Sequence, residues 1–148
     1  MVKGLKIELT KKQLQSLVNE STGNKTVDQF IKYAKKKLKI KDPVDIKLQN
    51  SKEKIKTTGV YRHEDETKKH KPEIRIYTKD RLMADVLRSL GHELEHHKQK
   101  QDNKFPKHTN NRHRKKEDDA NVEAGKLTFS FGEKDPSIFE KPFKKTKD

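Results

Sequence analysis

One stretch of this 148-residue chain constrains the fold more than any other. From Arg81 to about Gln101, the residues Leu82, Met83, Val86, Leu87, Leu90 and Leu94 recur at helical spacing. The pattern predicts a long helix with a broad buried stripe, entered through Asp80 as its N-cap. Only 28% of the chain is hydrophobic and 41% is charged, so the core around that stripe is thin. No segment approaches the roughly 20 apolar residues of a membrane span, which excludes an integral membrane protein of helical type. The start, Met1-Val2-Lys3-Gly4-Leu5-Lys6, lacks an apolar signal core, and the expected location is therefore the cytoplasm. There is no cysteine. A disulfide scaffold, a cysteine nucleophile and a thiolate metal site are excluded, so a transition metal would have to be held by His, Asp or Glu.

The rest of the chain reads as one α+β domain over residues 1–131. Leu14, Leu17 and Val18 predict a short helix over residues 10–20, broken at Gly23-Asn24. Thr26, with Gln29 three residues on, reads as a capping box for a second helix. Its stripe is Val27, Phe30, Ile31, Ala34 and Leu38, and Asp42-Pro43 stops it. Three β-type segments follow at Val44 to Leu48, at Ile55 to Tyr61 (interrupted by Gly59), and at Ile74 to Tyr77. Residues 62–72 and 102–113 are polar connections. A last helix, from about Arg114 to Phe131, carries Ala120, Ala124, Leu127 and Phe131 on one face. From Gly132 to Asp148 the two prolines and five lysines suggest a basic, loosely held tail. Its large apolar groups, Ile138, Phe139 and Phe143, are candidates to pack over a cleft and keep it latent.

The chemistry lies on the long helix, in Gly91-His92-Glu93-Leu94-Glu95-His96-His97. His92 and His96 are four residues apart, so their imidazoles stand one turn above each other and can share a Zn²⁺ at roughly 2.0–2.1 Å. Glu93 is about 100° round the helix from His92, near such a metal without ligating it, where a carboxylate can act as general base. With 7 His among 148 residues, a chance HExxH is expected only about 0.03 times. Gly91 allows a close approach by a neighbouring element, whereas Glu95, His97 and Lys98 are solvent types.

A catalytic zinc site needs a third protein ligand. The metzincin pattern fails, because Gln99 and Asp102 stand where it requires Gly and His, and no Gly-Thr context for an aspartate ligand is found. The last helix instead offers Glu117-Asp118-Asp119-Ala120-Asn121-Val122-Glu123-Ala124. Glu117 lies about 60° from Ala120 at the edge of the buried face, where a carboxylate is costly without a cation. Ala120 keeps the helix slim, and Asn121 is placed to hold the Glu117 carboxylate. Glu123, on the other edge, and the loop histidines His108 and His113 are the alternatives.

His92-Glu93-x-x-His96 followed by Glu117-x-x-Ala120 resembles the gluzincin pattern of zinc peptidases. Glu117-x-x-Ala120-Asn121-x-x-Ala124 is similar to the glutamate helix of the ImmA/IrrE-like metallopeptidases. The resemblance spans roughly Val44 to Phe131 and departs from the usual pattern at Glu95, where a small or apolar residue is common. It implies a minimal zincin-like domain and a zinc-dependent endopeptidase. The ligands are then His92, His96 and Glu117, and Glu93 is the general base. It also implies that Glu73 to Tyr77 forms the rim along which an extended peptide lies, as an exposed strand edge would allow. Tyr61, His63 and His113 are candidate oxyanion stabilisers.

The net charge of +14 opens a second reading: a basic nucleic-acid-associated protein, or a regulatory one, with a structural or vestigial zinc site. The lysines are, however, scattered in short runs such as Lys35-Lys36-Lys37 and Lys68-Lys69, without a nucleic-acid motif. They read chiefly as a solvated surface that can attract acidic partners or nucleic acid without specificity.

Overall fold

The computed structural model describes residues 22–53, 55–62, 71–102 and 110–144, with the side chains of residues 110–114 excepted. The expected helix over 10–20 and residues His63 and His108 lie outside the described residues, as does the His113 side chain. The fold is α+β: among the described residues there are three α-helices and a small mixed sheet.

Helix α1 spans Lys25–Leu38 and buries Val27, Phe30, Ile31, Ala34 and Leu38, the expected stripe. Its start differs from the expectation. Asn24, not Thr26, is the N-cap, and its side-chain oxygen accepts from the Val27 N–H at 3.0 Å. The helix closes before Asp42-Pro43. Lys39 takes the left-handed conformation (φ 57°), and the Ile40 N–H donates back to the Lys35 carbonyl at 2.9 Å.

Strands β1 (Asp45–Gln49), β2 (Gly59–Arg62) and β3 (Glu73–Tyr77) pair in the order β1-β3-β2. β1 runs parallel to β3, with Ile46 opposite Ile74 and Leu48 opposite Ile76; β2 is antiparallel to β3. β3 is therefore the central strand, not a rim, and β1 and β2 are the edges. Period-2 alternation puts Ile74 and Ile76 on the fully buried face of β3. Gly59 does not interrupt β2; it begins it.

Helix α2 runs Met83–Gln101 and buries Met83, Val86, Leu87, Leu90 and Leu94. Asp80 does not cap it: its φ is +57°, and the cap position falls to Leu82, which offers no side-chain acceptor. The C-terminal segment supplies one, since the Lys141 carbonyl accepts from the Met83 N–H at 3.0 Å. Helix α3, Asn110–Lys134, lays Ala120, Ala124, Leu127 and Phe131 on the core. A Cβ placed on Gly91 would lie 3.4 Å from the Ala124 Cα, so the glycine and the alanines let α2 and α3 pack closely.

The segment from Gly132 is not a separate loose tail as far as it is described. α3 continues through Gly132, a 3₁₀ turn follows at Pro136–Phe139, and Ile138 is fully buried in the core. Pro142 then bridges to Leu82, and the Phe143 N–H donates to the Arg81 carbonyl at 2.8 Å. Among the described residues, no helix is long and apolar enough to cross a membrane.

Candidate metal centre

α2 holds His92 and His96 one turn apart, with ring centroids 4.6 Å apart and planes nearly perpendicular. α3 crosses over them at its small residues and carries Glu117 to the pair. Its two carboxylate oxygens lie 3.1 Å from His92 Nε2 and 3.1 Å from His96 Nε2, while the two Nε2 atoms are 3.0 Å apart. The three side chains form a group that could hold a metal ion. The spacing fits the donor set: bonds of about 2.0–2.1 Å in a tetrahedron separate neighbouring ligand atoms by about 3.3 Å. Three lone-pair donors converging on one point also need a cation or protons between them.

Glu123 is not part of the group; it pairs loosely with Lys126 at 4.0 Å. Asn121 does not hold the Glu117 carboxylate through any hydrogen bond among the described residues. It lines the cleft instead.

Gln99 takes the orienting role, which the sequence reading missed by considering this position only as a failed ligand. It is buried, its side-chain oxygen faces His96 Nδ1 at 2.9 Å, and its amide donates to the Lys116 carbonyl at 3.0 Å. A carbonyl only accepts, so the amide nitrogen must face Lys116 and the oxygen must face His96. His96 therefore carries its proton on Nδ1 and presents a lone pair at Nε2 to the site. Spacing was the available signal: Gln99 lies at i+3 from His96 on the same face.

Glu93 is buried beside the cluster. Burial, reinforced by the nearby Glu117 carboxylate and only partly opposed by Lys116, pushes its carboxyl up to about 8. β2 passes close to it: a Cβ on Gly59 would come within 3.3 Å of Glu93 Oε2 and 3.0 Å of Ile76 Cδ1. A larger residue there would press on the Glu93 and Ile76 side chains, so the glycine lets β2 fit closely over Glu93.

The adjacent residues correct two further expectations. Glu95 and His97 are not solvent-facing: both are buried. His97 Nε2 lies 2.9 Å from the Asp42 carbonyl, to which it donates, and its Nδ1 accepts from the Tyr61 hydroxyl at 2.9 Å. Burial holds its pKa below the ordinary imidazole value. Tyr61 is consequently spent on a structural network that ties β2 to α2, and its hydroxyl does not face the metal cluster.

A cleft of about 260 Å³ opens onto His92 and Glu93. Thr57, Thr58 and Gly59 form one wall, Arg88 and Ser89 continue the α2 wall, and Asn121 and Ala124 close it from α3. Ile138, Phe139 and Phe143 do not line it; the C-terminal segment packs against the start of α2, at the far end of the helix from His96. No family model matches this chain, and neither a curated protein nor a solved structure matches it.

Proposed function

We propose that the protein is a zinc-dependent endopeptidase of the gluzincin type, with a zincin-like fold. The observation that carries this reading is the convergence of His92, His96 and Glu117, from two helices, beside a buried glutamate in an open cleft. His92, His96 and Glu117 would hold the zinc, whose contribution when bound is Lewis-acid polarisation of a carbonyl and activation of water. Glu93 accepts a proton at its carboxylate and returns it to the leaving amine; a cation held by Glu117 and the histidines would offset the Glu117 charge that helps to raise the Glu93 carboxyl to about 8 and so favour its ionised form. Gln99 fixes the His96 tautomer, and α3 brings the third ligand. The exposed edge of β2, rather than β3, is the strand beside which an extended peptide can lie.

Glu93→Gln is the direct test. Cleavage of peptide substrates is expected to fall by roughly 10²–10⁴-fold, the usual contribution of general acid–base catalysis, with zinc content retained. Glu117→Ala is expected to lose the zinc. Protein that carries no stoichiometric zinc after zinc-replete expression, or a Glu93→Gln variant as active as the parent, would overturn the reading.

A further inference from the structure

Two arginines stand near the mouth of the cleft, and the structure uses them differently. Arg81 is committed to the scaffold: its guanidinium donates to the Tyr77 carbonyl at 2.7 Å, the Asp85 carbonyl at 2.9 Å and the Ser89 hydroxyl at 2.8 Å. Ser89 in turn bonds Thr58 at 3.3 Å and pins the opposite wall. Arg88 is exposed and lines the cleft. Among the described residues no carboxylate pairs with it; neither Asp85, three residues back, nor Glu93 makes an ion pair with it. It lies four residues, about one turn, before His92, about 6 Å along the axis.

A guanidinium fork with no carboxylate partner among the described residues is matched in shape and charge by a carboxylate, which it can bind through two parallel hydrogen bonds. The neighbouring wall adds the Thr58 hydroxyl, which accepts from Ser89 and keeps its own proton for an anion, whereas the Thr57 hydroxyl already donates to the Gly59 carbonyl at 3.0 Å. One peptide residue spans about 3.3 Å when extended, so a group held by Arg88 is within about two residues of a bond positioned at His92. We propose that Arg88 forms a carboxylate-binding subsite of this cleft, selecting peptides that carry an acidic side chain or a free C-terminal carboxylate within two residues of the cleaved bond. The subsite rests on the peptidase reading of the same cleft and adds to it the class of substrate.

The test uses the zinc-loaded full chain and peptides in which one Glu is walked along an otherwise uncharged, C-terminally amidated sequence. Each has a Gln counterpart, and one Gln peptide carries a free C-terminus. Binding is measured with the Glu93→Gln variant, and cleavage with the parent. The best-placed Glu peptide is expected to bind roughly fivefold more tightly than its Gln counterpart, the scale of an exposed charge-assisted pair. Arg88→Met is expected to abolish that ratio, and Arg88→Lys to retain part of it. A free C-terminus that substitutes for Glu identifies the terminal carboxylate as the ligand; a preference confined to Glu identifies the side chain. Equal Glu to Gln ratios with Arg88 and with Arg88→Met would overturn the subsite, even if every peptide were cleaved. Arg88-dependent discrimination in binding without hydrolysis by the parent would uphold the subsite and overturn the peptidase reading.

Discussion

Glu93 and Glu95 are two residues apart on α2, and both are buried, but they face different surroundings. Glu93 lies at the candidate metal cluster; Glu95 points toward the acidic side of α3, and its Oε2 is buried without a hydrogen-bond partner among the described residues. Burial pushes the Glu95 carboxyl up to about 7, with Lys98 opposing and Glu123, Asp119 and Asp102 adding to the rise. For both residues the folded state binds the proton more tightly than the unfolded state, so stability is greatest at low pH and is lost as pH rises through the folded values of about 7 and about 8. His96 and His97 are shifted down by burial and act in the opposite sense, but only below their ordinary value of 6.5. In metal-free protein the urea midpoint is therefore expected to fall between about pH 6.5 and about pH 8. Glu93→Gln and Glu95→Gln should each flatten that fall; a midpoint that rises over the same interval would contradict the burial of both carboxyls.

At the scale of elements, the site is a product of how α2 and α3 cross. Gly91, Ala120 and Ala124 allow the approach, and Gln99 then bridges from His96 to the Lys116 carbonyl, the residue before Glu117. That bridge sets the tautomer of His96 and the position of Glu117, two of the three candidate ligands. Gln99→Ala is expected to weaken zinc binding by roughly 10- to 100-fold, as loss of an orienting partner commonly does, while the helical content stays unchanged. Competition with a chelator of known affinity measures it, and unchanged zinc affinity would remove Gln99 from the site. The helices themselves were legible, because their stripes repeat every 3.6 residues. Their caps were less so. Asn24 displaced Thr26, and Asp80 lost its role because α2 is closed by Lys141, a residue 58 positions beyond the helix start (141 − 83).

For the whole molecule, the thin core is extended from the C-terminal side. Ile138 enters the cluster formed by α1, α2, α3 and the sheet, while Leu82 and Pro142 pair across the start of α2. Ile138→Ala should destabilise the fold by about 2–5 kcal/mol, the cost of a large-to-small change at a fully buried site. Denaturant unfolding checks this, and a change below about 0.5 kcal/mol, typical of surface sites, would mean that the segment is not part of the core. Because the segment lies at the N-terminal end of α2, the loss should appear in stability while any metal affinity of the His92, His96 and Glu117 group is kept.

The sequence by itself determined the α+β class, the two histidines one turn apart, the glutamate between them, and a short set of carboxylates, Glu117 and Glu123, at the edges of the buried face of the last helix. These follow from helical periodicity and from the cost of placing a carboxylate on a buried face, which are local properties. It was the crossing of α2 and α3 that brought Glu117 rather than Glu123 to the histidines. The order of the strands, the use of Gln99 and Tyr61, the burial of Glu95 and His97, and the capping of α2 by residue 141 were decided only by tertiary structure. Each depends on which distant backbone or side chain arrives at a surface, and residue spacing carries no record of that arrival.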